Sequence, residues 1–142
     1  MKLVLISLVL FTGITAGTKN ITSIKTVDDL NSAIQKAKKQ NKPLILKVFL
    51  EHCPACISVK ESFEKLAKNF SKKIAFAEIN ADTPGNGKFM QMFKLSAVPT
   101  FILIKKDQLS LTLPEIEKVA TKKPGALSLD SLTTVAQRFL AA

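Results

Sequence analysis

A chain of 142 residues, 46% hydrophobic and 23% charged, is long enough for one domain with a real core and is neither a disordered polyelectrolyte nor a wholly membrane-embedded protein. Its formal charge is +10, but the lysines are scattered among apolar positions and read as a solvated face. No basic patch carries a nucleic-acid recognition motif, so nucleic acid is not an expected partner, and attraction to acidic proteins or anionic lipid stays unspecific.

The chain opens with Met1-Lys2 and an apolar run from Leu3 to Phe11, followed by the small residues of Thr12 to Gly17. This pattern predicts a signal segment over 1–16, cleaved after Ala16, and a mature domain over 17–142. The run is about half of the roughly 20 residues that a spanning helix needs, which leaves an uncleaved anchor as the alternative. The expected location is periplasmic or secreted, with no strong membrane association once the segment is gone.

Ile21 to Ile24 suits a short strand, and Thr26 caps a helix with Asp28 and Asp29 in its first turn. Val27, Leu30, Ile34 and Ala37 recur at helical spacing up to Asn41-Lys42-Pro43. Leu44 to Leu50 is apolar except for Lys47 and reads as a strand buried on both faces. A second helix follows Cys53, with Val59, Phe63, Leu66 and Phe70 as its stripe and Glu61–Lys65 and Glu64–Lys68 as i,i+4 pairs. Ile74 to Asn80 is a third strand, Lys88 to Phe93 a short helix, and Thr100 to Ile104 a further strand after Val98-Pro99. Leu109–Leu113 and Val119–Lys122 read as strand material parted by Pro114, with a helical turn over Glu115–Ala120 as the alternative. Ser128 caps a last helix. The order β-α-β-α-β-α-β-β-α calls for an α/β fold, a parallel or mixed sheet covered by helices on both faces.

The two cysteines, Cys53 and Cys56, enclose Pro54 and Ala55. As a structural staple so short a loop is poorly placed: the chain-entropy treatment gives it only about 2 kcal/mol, against about 4.7 for a 100-residue loop. A tetrahedral zinc site from two cysteines and the adjacent His52 is improbable, so no metal is expected. A c-type haem needs histidine after the second cysteine, where Ile57 stands. Redox chemistry suits the pair better. It lies where a buried strand hands over to a helix, and unpaired N–H groups and the helix dipole favour a thiolate there. Cys53 is the expected nucleophile and Cys56 the resolving thiol.

Taken together, the strand Leu44–Leu50, the Cys53-Pro54-Ala55-Cys56 motif, the long helix, Val98-Pro99-Thr100 and Pro124-Gly125-Ala126-Leu127 before the last helix resemble the thioredoxin-fold superfamily, in particular its exported thioredoxin-like thiol–disulfide oxidoreductases. The resemblance covers nearly all of the mature chain. It implies a thioredoxin-like fold with a central mixed sheet, and a cis Val98–Pro99 bond lying against the dithiol. It further implies a substrate chain pairing with the backbone of Val98, over a surface that Pro54, Ala55 and Pro99 share. The redox-active disulfide Cys53–Cys56 would then be the only redox group, with no added cofactor.

Four residues depart from the family pattern. His52 stands where tryptophan is common, and if protonated it would favour the Cys53 thiolate. Lys47 occupies the position of a buried acid and Glu78 that of its partner lysine, so the charges look exchanged. A Lys47–Glu78 pair would satisfy two groups that are costly to bury singly, and Glu78 could receive the Cys56 proton. Glu61 replaces a kinking proline. The reading that follows is a monomeric oxidoreductase acting on exported cysteine-containing proteins, served by a thiol–disulfide redox partner. Its direction, as reductase, oxidase or isomerase, stays open. The alternative is a non-catalytic thioredoxin-like binding module with a structural disulfide.

Overall fold

The computed structural model describes residues 20–142; the signal segment over 1–16 and the domain boundary at 17 lie outside the described residues. Strand β1 (Ile21–Ile24) leads into helix α1 (Val27–Lys39), and β2 (Leu44–Phe49) into α2 (Pro54–Phe70). Then come β3 (Ala75–Asn80), α3 (Gly87–Met92) and β4 (Thr100–Ile104). A 3-10 turn (Lys106–Ser110) and α4 (Leu113–Val119) precede β5 (Thr121–Pro124) and α5 (Leu129–Ala141).

The five strands form one sheet in the order β1-β3-β2-β4-β5. β1, β3 and β2 run parallel, while β4 is antiparallel to β2 and β5 to β4. The mixed sheet is covered on both faces, as the alternation of elements requires. Leu44, Leu46 and Val48 face one side, where they pack with Ala77, Ile79, Ile102 and Ile104 against Leu30 and Ile34 of α1. Ile45, Phe76, Phe101 and Leu103 face the other, against Val59, Phe63 and Leu66 of α2 and Leu132 and Phe139 of α5.

The ends of α1 follow from local chemistry. Thr26 Oγ1 accepts from Asp29 N at 3.1 Å, and Asp29 Oδ2 accepts from Thr26 N at 2.9 Å, a reciprocal cap. At the other end Asn41, with φ of 53°, takes the left-handed conformation that terminates the helix.

One stretch corrects the sequence reading. Leu109–Leu113 is not a strand; it runs through the 3-10 turn into α4. Pro114 sits in the first turn of α4, where its fixed φ favours helix and its missing N–H costs nothing. Glu115 Oε2 accepts from Thr112 N at 2.8 Å and from Thr112 Oγ1 at 2.7 Å, closing the helix start. The helical alternative was the right one for this segment, and β5 begins only at Thr121.

Candidate active site

The parallel strand β2 ends at Phe49, and two bends later Cys53 becomes the N-cap of α2. Pro54 at the first helical position fixes the entry. The loop before it is pinned by Asp82 Oδ2, which accepts from Glu51 N at 2.7 Å. Cys56 N donates to Cys53 Sγ at 3.2 Å, so an orphan N–H of the helix start faces the sulfur that would carry negative charge. Both cysteines are present as free thiols.

The pair is asymmetric. Cys53 is half-buried and reachable, whereas Cys56 is 3% exposed. Burial pushes the Cys56 thiol up to about 11, and its hydrogen bond with Cys53 adds to the rise. A backbone hydrogen bond from Leu50 and the charge of Lys47 pull the other way.

The Val98–Pro99 bond is cis, and Cys53 Sγ lies 3.9 Å from Val98 O. Pro99 is buried and Val98 half-buried. The segment is held from both sides: Thr100 Oγ1 donates to Ala97 O at 2.6 Å, and Gly125 N donates to Pro99 O at 2.8 Å. Gly125 has φ of +100°, a conformation that suits glycine and that lets its N–H turn back onto the proline carbonyl. Pro54 is exposed and Ala55 half-buried on the same rim.

Beneath the dithiol, Lys47 Nζ meets Glu78 Oε2 at 2.8 Å. The two residues are register partners on adjacent parallel strands. Lys47 is 2% exposed, with its ammonium 4.6 Å from the ring centre of Phe49 and 4.7 Å from that of Phe63. Lys47, Glu78 and Cys56 line one cavity of about 260 Å³ together with Phe49, Ile57 and Lys60. His52, by contrast, is exposed and makes no hydrogen bond or ion pair among the described residues.

The profile of the thioredoxin family matches residues 22–132. The chain belongs to the thioredoxin family. Its general chemistry is that of the thiol–disulfide oxidoreductases. A thioredoxin H-type of Brassica oleracea is 27% identical over 88 residues, 62% of this chain and 69% of that protein. The chloroplastic thioredoxin-like protein CDSP32 of Arabidopsis thaliana is 28% identical over 82 residues, which are 57% of this chain and only 27% of that protein. The structure of poplar thioredoxin h, PtTrxh4, superposes with a TM-score of 0.70 at 19% identity, covering 87% of this chain and 98% of that one. Chloroplastic thioredoxin z gives 0.68 at 20% identity, covering 87% and 96%. At such identities the solved structures show the shared fold.

Three side chains near the site escaped the sequence reading. Ile57 is 61% exposed at the rim of the Cys56 cavity. Its signal was legible, because it falls off the Val59–Phe63–Leu66 stripe of α2. Asp82 anchors the loop before the dithiol from a turn that sequence alone gave no reason to place there. Glu117, buried in α4, binds Lys122 at 2.9 Å and Lys94 at 3.2 Å, which joins β5 to the segment leading into Val98. Those two lysines hold its carboxyl below the usual range, Lys122 foremost.

Proposed function

We propose that the protein exchanges disulfides with exported proteins, with Cys53 as nucleophile and Cys56 as resolving thiol. What carries the reading is the Cys56 N–H directed at Cys53 Sγ at the start of α2, beside the Val98 carbonyl. Written in the reducing direction, the Cys53 thiolate attacks one sulfur of a partner disulfide. A mixed disulfide forms and one partner thiolate leaves. Cys56 then loses its proton and attacks Cys53 Sγ; the Cys53–Cys56 disulfide forms and the second partner thiolate leaves, to be protonated. Two electrons pass to the partner. The oxidising direction is the reverse, and the relative potentials of protein and partner decide between them.

A thiol raised to about 11 needs help to ionise near neutrality. Glu78 is the proposed acceptor of its proton, through the cavity that both residues line. Lys47 holds the Glu78 carboxylate in place and offers positive charge to the forming thiolate. His52, when protonated, adds positive charge near Cys53, weakened by the water around it. Val98, Pro99, Pro54 and Ala55 form the proposed contact surface for the partner chain. Export rests on the apolar start of the chain and its small-residue cleavage pattern. The redox group is the cysteine pair itself, with no added cofactor, and the working unit is a monomer.

Expressing Cys56→Ser in the native host and separating its adducts without reductant tests this proposal. Disulfide-linked adducts at Cys53 with exported proteins are expected. If Cys53→Ser keeps full function and Cys56→Ser captures nothing, the protein is a binding module instead.

A further inference from the structure

The charged side chains divide unevenly between the two ends of the sheet. β2 delivers the dithiol at one end. α1 and α2 both run back from that end, so their last turns lie at the other. α1 finishes with Lys36, Lys38 and Lys39, the turn after α2 carries Lys72 and Lys73, and antiparallel β4 hands over to Lys105 and Lys106. Lys42, Lys72, Lys73 and Lys106 surround one open cavity. More carboxylates lie at the dithiol end, where Asp28 and Asp29 open α1, Asp130 opens α5, and Glu51 and Asp82 flank the cysteines, while Asp107 beside Lys106 stands among the lysines at the other end.

Helix C-termini explain part of this, since cations suit their partial negative charge, and Lys42 Nζ caps Ser71 O at 2.8 Å. They do not explain the whole. Lys72, Lys73 and Lys106 are exposed and make no ion pair or hydrogen bond among the described residues, and residues 1–19 contain no carboxylate to pair them.

We propose that the lysine end is a docking face for an anionic lipid surface, which turns the dithiol outward toward protein partners. Lysines around an open, unshaped cavity suit a fluid array of headgroups, whereas shaped recognition of one anion favours the fixed fork of arginine. Attraction of this kind acts within a Debye length, about 10 Å at 0.1 M salt. The six residues of β2 alone set the dithiol roughly 20 Å from the lipid face, so the membrane leaves the active end free. The contact is reversible and salt-sensitive, not an insertion.

Lysine acylation of the full chain, read residue by residue by mass spectrometry, tests this on vesicles of phosphatidylglycerol with phosphatidylcholine against phosphatidylcholine alone. Lys72, Lys73 and Lys106 should be protected about fivefold or more on the anionic vesicles only, with the protection lost in 0.5 M salt. Lys60 and Lys88, on the dithiol side, should label equally on both. The variant K72E/K73E/K106E should lose its preference for anionic vesicles, while K60E/K88E keeps it. Uniform protection, protection of Lys60 and Lys88, or none would overturn the proposal. So would protection by soluble polyglutamate without protection by vesicles, which would favour an acidic protein. No thiol is read, so this result stands apart from the oxidoreductase reading.

Discussion

The two faces of β2 and β3 are built from alternate residues of the same strands, yet they differ in kind. Leu44, Leu46, Val48, Ala77 and Ile79 turn to the α1 side and meet only hydrocarbon. Ile45 and Phe76 turn to the α2 side, but the next residues on that face are Lys47 and Glu78, joined at 2.8 Å. One face is a packing surface. The other combines packing with a charged pair directly below the resolving cysteine. A buried cation is costly unless paired, and the rings of Phe49 and Phe63 with the Glu78 carboxylate supply its surroundings.

If the contrast holds, substitutions on the two faces fail for different reasons. Leu46→Ala, on the apolar face, leaves a cavity and should cost about 3–4 kcal/mol by denaturant unfolding. Its exchange rate per folded molecule should be unchanged. Glu78→Gln strands an ammonium that has almost no access to water, and should cost about 3 kcal/mol while slowing resolution of a mixed disulfide. Lys47→Met should cost about 1 kcal/mol or less, because the partly exposed Glu78 can turn to water and methionine fills the space. Equal costs for these two substitutions would break the asymmetry. The exposed pair Glu61–Lys65 is an ordinary surface contact, and Glu61→Gln should leave the denaturant midpoint essentially unchanged.

The buried thiol adds a dependence on pH. In the unfolded chain Cys56 ionises near its ordinary 9.0, but in the folded, reduced protein only at about 11. Between these values the folded state binds more protons than the unfolded state, so stability falls as pH rises. Reduced wild type should therefore lose stability from pH 9 to 11 more steeply than Cys56→Ala, in urea melts across that range. Parallel slopes would remove burial as the cause.

Much of this was legible in the sequence because local chemistry and long-range packing agreed. Apolar β2, the helix-start cysteine and Val98-Pro99 each carry a signal within a few residues, and each took its expected place. The Lys47–Glu78 pairing was foreseeable from the resemblance, which matches both positions to an exchanged acid–lysine pair, and from the cost of burying a lysine alone. The segment after Ile104 misled because Leu109, Leu111 and Leu113 alternate like a strand, while the Thr112–Glu115 cap and Pro114 commit the chain to a helix. Local capping won over period. The Glu117 clasp was not legible, because Lys94 and Lys122 meet it only through tertiary folding.

The central claim is that accessible Cys53 attacks and buried Cys56 resolves. Mixing reduced protein with a peptide disulfide and following intact mass with time tests it most directly. Wild type should pass through a short-lived adduct to an internal disulfide, two hydrogens lighter than the reduced protein. Cys56→Ser should stop at one peptide per protein, attached at Cys53. A lasting adduct on Cys56, or a Cys53→Ser protein that reacts as fast as wild type, would contradict the account.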